Sequence, residues 1–324
     1  MTTKYNNVYL NNTYTIAGIN EAKGPLGKYY DKVYQDFYFG AKSFEKAESK
    51  IIEEAVNALI IQSGKPDLFI SGDLLNQLVA SNYAASKLSL PYLGIYSACA
   101  SSVQGLIIAS NFIEHNIINS CICSASSHNN TAERQFRYPV EYGGIKPKTA
   151  TFTTTGVGAA YLSNKKSCIK IESATIGEVV DMGIKDVYDM GSVMAPACAK
   201  TLYTHLLETH RDYSYYDLIL SGDLGRYGKD IFKILMKKDY NINLTNYDDS
   251  ACMIYDLDKQ NVYAGGSGPA CLPLVTYSYI LEKMQKKEIN KVLLLATGAL
   301  MSPTMVNLKL SIPAICHAIS LEVI

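Results

Sequence analysis

Tryptophan is absent from this chain of 324 residues, and arginine is nearly so. The four arginines are Arg134, Arg137, Arg211 and Arg226, so half of them fall within one short segment. Neither sign of charge is in excess, because 30 basic residues balance 30 acidic ones, and no global field recruits nucleic acid or an anionic membrane. No apolar run approaches the ~20 residues of a spanning helix, so no bilayer-crossing segment is expected. The N-terminal "MTTKYNNVYLNNTYT" lacks the charged-then-apolar layout of a secretory signal. The 8 cysteines lack framework spacing. Cys121 and Cys123 would share one face of a strand, but no second pair completes a zinc site. Reduced thiols in a cytosol-like compartment are expected, with no bound metal and no cofactor.

What is present describes a globular protein: 48% apolar and 19% charged residues, enough chain for one large core or two modest domains. One octapeptide nearly repeats. "DLFISGDL" begins at Asp67 and "DLILSGDL" at Asp217, and only two positions differ. The elements around the copies repeat as well. "SFEKAESKIIEEAVNALIIQSG" predicts a helix capped by Ser43 and stopped by Gly64. "DLFIS" follows as strand, "GDLLNQLVASNYAASKLS" as helix, "YLGIYS" as strand, "ACASSVQGLIIASNFIEHN" as helix and "SCICSAS" as strand. The second half runs through "MAPACAKTLYTHLLETH" as helix, "DLILS" as strand, "GRYGKDIFKILMKKDY" as helix and "NVYAGG" as strand. It ends with "GPACLPLVTYSYILEKMQKKE" as helix and "KVLLLATG" as strand. Strands alternating with helices imply an α/β fold with a largely parallel sheet. The shared order implies two duplicated α/β halves, 1–165 and 166–324, dividing near "YLSNKKSCIKIESA".

Candidate chemistry centres on Cys99, in "IYSACASSVQGL" at the turn from a buried strand into a helix. There the unpaired backbone N–H groups and the macrodipole of a helix N-terminus stabilise a thiolate. Small neighbours would let a ligand approach closely; the plain alternative is a small buried core thiol. The Gly-rich "AGGSGPAC" carries no Gly-Lys-Ser/Thr and suits close helix–strand packing. Asp73 and Asp223 each end a buried strand, where open α/β folds bind ligands, and each precedes a helix it could cap.

A duplicated α/β half, a Cys at the first elbow and Gly-rich turns together resemble the thiolase and ketoacyl-synthase fold. The resemblance implies layered sheets and helices, with a nucleophilic Cys in the first half and supporting His and Asn, or two His, in the second. Cys99 matches the nucleophile, and "TGVGAA" resembles a turn those enzymes write with Asp-Gly-Ala-Gly. The second half departs: Gly222 and Asp223 stand where the His turn should fall, and Ser267 where the Asn or second His should. Without a neutral base, proton transfer to and from a thiol is lost. An inactive homologue is therefore expected.

A closer match is carried by "GDLLNQ", "SSHNNTAERQFRYPVEYGG", "KPKTATFTTTG", "DMGSVMAPA", "YAGGSG" and "ATGALMSPT". These resemble the stage V sporulation protein AD family from "GPLG" to "SIPAICHA", nearly the whole chain. The resemblance implies a dipicolinic acid-binding subunit that helps move dipicolinate, as its calcium chelate, into the developing spore. It implies membrane-embedded partner subunits, peripheral association on the cytoplasmic side of the forespore inner membrane, and a homodimer with "SCICSAS" or the loop after it near the contact. A planar diacid needs fixed N–H or O–H donors, a cation and a flat slot. Cys99 and its helix terminus, His128, Arg134, Arg137, His317 and Asp73 are the candidate ligand-binding residues. Arg134 and Arg137 equally suit an intersubunit contact together with Glu133, and His317 suits the core as well as a pocket mouth. Two other readings stand beside the first: an acyl-transfer enzyme using Cys99 with His317 or His128 as base, and a scaffold with a vestigial pocket.

Overall fold

The two octapeptides form matching strands in one sheet. The structure is a computed structural model that describes residues 1–136 and 146–324. Leu68–Gly72 pairs in parallel with Tyr92–Gly94 on one side and Ser120–Ser127 on the other. Gly156–Ser163 then runs antiparallel to Ser120–Ser127, and Tyr9–Ala17 antiparallel to Gly156–Ser163. The second half has the same pattern. Leu218–Ser221 lies parallel to Tyr247–Asp249 and Lys291–Ala299, and Ala314–Val323 and Ile169–Thr175 follow antiparallel. The halves meet through Tyr9–Ala17 and Ile169–Thr175, in register only at Tyr9↔Lys170 and Leu10↔Ile169. Read outward from that seam, the strand order is the same in both directions.

The sheet is mixed, where a largely parallel one is expected from the alternation of strands and helices. The antiparallel pairs fall at equivalent places in the two halves, Ser120–Ser127 with Gly156–Ser163 and Lys291–Ala299 with Ala314–Val323, and the second connection holds only the short helix Pro303–Asn307. Of "NVYAGG" only Gly266 is in a strand, the two-residue Gly266–Ser267 that pairs with Phe152–Thr153 apart from the main sheet; the strand beside Leu218–Ser221 is Tyr247–Asp249, whose polar residues hide it from pattern reading.

Helices lie in three layers. Phe44–Ser63 starts where Ser43 Oγ accepts the Lys46 N–H and ends at Gly64, whose φ is +90°. With Val79–Leu88 it covers the outer face of the first half, burying Ile51, Ile52, Leu59 and Phe69. Met190–Thr209 and Gly225–Tyr240 cover the outer face of the second. Ser101–Glu114 and the helical run from Cys271 to Gln285 occupy the middle, where Val103, Leu106 and Ile113 share one core with Leu272, Val275 and Ile280. That middle run contains the π-helical turn Thr276–Ile280.

Ser120–Ser127 is buried throughout and paired on both sides, and Cys121 and Cys123 share a face with their sulfurs 3.9 Å apart. The open edge of that half is Tyr92–Gly94, where Leu93 is exposed. No helix among the described residues is long and apolar enough to cross a membrane.

The outer helices of the second half cross at two glycines. A Cβ on Gly228 would lie 2.6 Å from the Gly191 Cα, against backbone that cannot swing aside. Gly228→Ala is expected to cost about 1–3 kcal/mol by overpacking. Urea unfolding of the two proteins measures the difference.

Candidate functional site

Cys99 sits on a tight elbow between the edge strand and the central helix. The residue before it, Ala98, has φ +48°, a left-handed conformation unfavourable for a side chain bearing Cβ. Ser101 secures the turn: its Oγ accepts the Ser97 N–H at 3.0 Å and donates to the Ala98 carbonyl at 2.8 Å. The helix begins two residues after Cys99, and the Ala100 and Ser101 N–H groups at its start donate to the Ser97 and Ala98 carbonyls at 3.0 and 3.2 Å. Cys99 is half-buried in the lining of a small open cleft. It shares the floor with Thr153, Ser267 and Gly268, while Leu74, Phe136, Met190, Met194 and Met301 form apolar walls and Tyr96 stands at the rim. A narrow, mostly apolar slot with a few polar groups at its base is the usual form of a small-molecule site.

Behind the floor lies Asp223, the aspartate of the second octapeptide. It is buried, its φ is +69°, and its Oδ2 accepts the Gly268 N–H at 3.0 Å. Burial pushes its carboxyl well above the ordinary range, although hydrogen bonds from the Cys99 and Cys271 thiols act the other way. An acid therefore faces Cys99 from behind the floor.

A family model described as Stage V sporulation protein AD (SpoVAD) matches residues 2–322. Stage V sporulation protein AD of Bacillus subtilis (strain 168) is 44% identical over 319 residues, covering 97% of this chain and 94% of that protein. The chain belongs to the stage V sporulation protein AD family. Among solved structures, cerulenin-bound OleA of Xanthomonas campestris superposes with a TM-score of 0.62 at 13% identity, over 99% of this chain and 98% of that one. The 3-oxoacyl-[acyl-carrier-protein] synthase III of Aquifex aeolicus VF5 gives 0.55 at 13% identity, over 99% and 100%. At such identities the likeness concerns the fold, which is thiolase-like.

Of the residues singled out in sequence, only Cys99 lines this cleft among those described; Arg137 lies outside the described residues. His128 packs between Phe39 and Phe44. Its Nδ1 accepts the Asn130 N–H at 3.3 Å, so Nε2 carries the hydrogen and donates to the Phe37 carbonyl at 2.8 Å. Burial pushes its imidazole down to about 4. His317 lies in Ala314–Val323 opposite Ala296, with Nδ1 accepting from Gly177 at 3.3 Å, and burial takes it down to about 4 as well. Arg134 turns away from the cleft to pair with Glu45, although Ala132 and Phe136 of the same helix line it. Glu133 points inward, to Lys146 at 2.9 Å and Thr153 at 3.4 Å.

Asp73 is a structural anchor. Its carboxylate accepts from Leu75 and Ser81 N–H, both at 2.8 Å, across a loop in which Gln77 and Leu78 have φ +56° and +58°. For that reason the helix starts at Val79 and not directly after Asp73, as the sequence suggests. Asp223 is the site residue that sequence reasoning passed over. The available signal was Gly225 just after the second octapeptide, which starts a helix too soon for Asp223 to span a loop as Asp73 does.

Beneath the helix Asn129–Phe136, the buried Glu48 accepts from Ser126 at 2.8 Å and Thr131 at 3.4 Å. Burial first, then the Asp73 carboxylate, pushes Glu48 up to about 8. Because that value lies above the ordinary 4.5, the stability Glu48 confers is full below pH 4.5 and is lost as pH rises toward 8. Glu48→Gln removes this loss. The stability difference between variant and wild type is expected to grow in the variant's favour by on the order of 2 kcal/mol from about pH 5 to about pH 8 in urea unfolding.

Proposed function

We propose that this chain is a non-catalytic sporulation subunit that binds dipicolinic acid in the Cys99 cleft. It works with membrane-embedded subunits of the stage V A machinery to move dipicolinate, as its calcium chelate, into the developing spore. Family membership supports the sporulation role. The observation that carries the ligand assignment is the cleft itself: a mostly apolar lining into which the Cys99 thiol and the Thr153 and Ser267 side chains bring a few polar groups, beside the start of the helix Ser101–Glu114. Such a lining suits a chelate whose charge calcium has neutralised better than a bare dianion, whose desolvation would go unrepaid. In this proposal the chain is a homodimer, held peripherally on the cytoplasmic side of the forespore inner membrane. The halves 1–165 and 166–324 descend from one duplicated unit, a view supported by the mirrored strand order.

The elbow also favours a second reading, acyl transfer through Cys99. The group opposite Cys99 is an acid, and His128 and His317 lie outside the cleft lining with hydrogen-bonded ring nitrogens. Activating the thiol needs a base within reach, so this reading is the weaker one.

Calorimetric titration is expected to give saturable dipicolinate binding that tightens by about tenfold, some 1.4 kcal/mol, when calcium is added. Cys99→Phe should fill the slot and abolish binding with the fold intact, and Cys99→Ala should do less because only a thiol contact is lost. Affinity unchanged by Cys99→Phe would put the ligand elsewhere. An acyl adduct at Cys99 that forms from acyl-CoA and turns over would favour the enzyme instead. Sedimentation at micromolar concentration is expected to show a dimer, and a monomer would count against that part of the proposal.

A further inference from the structure

The two octapeptide copies hold their aspartates differently, and the difference delivers a carboxyl to the cleft thiol. Asp73 closes its own loop through Leu75 and Ser81. In the second copy that role passes to Asp249, which accepts from Leu224 at 3.2 Å, Gly225 at 3.0 Å and Ser221 Oγ at 2.5 Å. Asp223 is thereby released. Its left-handed backbone turns the side chain from its own loop to the cleft floor, where Gly268 N–H meets Oδ2. Oδ1 is buried without a hydrogen-bond partner among the described residues, and the thiols of Cys99 and Cys271 lie close enough to the carboxyl to act on it.

We infer that Asp223 is a positioning residue that keeps Cys99 a neutral thiol, so that the cleft floor presents hydrogen-bond donors and no negative charge to an anionic planar ligand. The groups facing Asp223 are Cys99 from the elbow, Cys271 from the central helix, Asp249 from the edge strand and the Gly268 N–H. Asp249 adds like charge, and the thiols and the N–H favour the carboxylate. Burial exceeds them all and favours the neutral acid. In such a pair the carboxyl releases its proton before the thiol does, and the resulting charge then opposes ionisation of the sulfur. A helix N-terminus by itself promotes a thiolate, and Asp223 counteracts it. A thiolate beside a dicarboxylate would repel it. The ligand half of this inference rests on the dipicolinate proposal; the thiol half does not.

The test is alkylation of the full chain by iodoacetamide, with each cysteine followed by peptide mass spectrometry and the exposed Cys168 as internal reference. Asp223→Asn keeps size and polarity, tolerates the left-handed backbone, and removes only the charge. At about pH 8, Cys99 in that variant is expected to alkylate at least about tenfold faster relative to Cys168 than in wild type, the effect of one pKa unit. Equal or slower alkylation would overturn the inference, since it would mean that Asp223 activates the thiol or ignores it. Wild type supplies an arm that needs no variant. Its Cys99 rate should still be climbing at about pH 9, and a plateau below about pH 8 would show a stabilised thiolate and sink the idea. In calorimetry with dipicolinate, Asp223→Asn affinity should fall about tenfold between about pH 6 and about pH 9 as its thiol ionises, while wild type falls less. A variant affinity that is the same at both, or falls no more than that of wild type, would overturn the ligand half. No dipicolinate binding at any pH, with the alkylation result as expected, would refute the ligand proposal and leave the acid–thiol pair standing.

Discussion

Backbone meets backbone where the Cys99 elbow abuts the strand Lys291–Ala299, and the cleft exists because nothing projects between them. An ideal Cβ on Gly298 would overlap the Ser97 carbonyl oxygen and sit 3.1 Å from the Ala100 nitrogen. The elbow belongs to the first half and the strand to the second, so this contact carries the seam between halves into the site. The neighbouring Thr297 donates to the Gly222 carbonyl, immediately before Asp223. One strand end thus sets both the position of the thiol and the turn that aims the acid at it. Gly268 makes a comparable approach on the far side, with φ +101° and a Cβ position 2.7 Å from Ser127 Oγ.

A symmetric scaffold carries an asymmetric site. Strand order, directions and helix layers repeat between halves, and so do the letters Ser-Gly-Asp-Leu. Identical letters nevertheless have different partners. Ser71 shares its hydroxyl with Ser81 and Ser124, whereas Ser221 meets Tyr247 and Asp249. Once Asp249 supports the second loop, Asp223 has no structural task there. Two acids stand at the ends of equivalent strands, and Asp249 on the neighbouring strand holds in the second copy the loop that Asp73 holds in the first.

This explains which parts were legible in sequence. Ser43, Gly64 and the apolar stripe of Ile51, Ile52 and Leu59 act over one or two helical turns, and a short-range pattern reveals them. Cys99 was legible because an elbow announces itself by small residues between a buried strand and a helix. Tyr247–Asp249 was not, since its central residues are charged and their use depends on Ser221, Leu224 and Gly225, more than twenty residues upstream. Arg134 looked like a carboxylate clamp by composition, yet Glu45 lies 89 residues away in sequence and no local signal announces the pair. His128 looked polar and available, and its two nitrogens are instead occupied by backbone on either side. Asp223 misled in the opposite sense: it counted as the absence of a histidine when it was the presence of an acid.

Among the described residues, 12 that are not glycine have positive φ, and four of them lie at or beside the cleft. Ala98, Gln77, Leu78 and Asp223 all have positive φ without being glycine. Ala98 lines the cleft, Gln77 and Leu78 line the adjoining groove that shares Leu74, Tyr96, Phe136 and Met301 with it, and Asp223 backs its floor. Each such residue costs about 1–3 kcal/mol and persists only where its surroundings over-determine it. A vestigial pocket would lose these conformations first, because relaxing any of them stabilises the chain and nothing opposes it. The buried Asp223 adds to the same cost, since burial works against its charge, with the Gly268 N–H as its backbone donor. The other non-glycine residues with positive φ include Ser89, His210 and Asn241, which end helices and have a capping role to account for it; at the cleft the same conformation instead shapes the Cys99 elbow and directs Asp223 to Gly268.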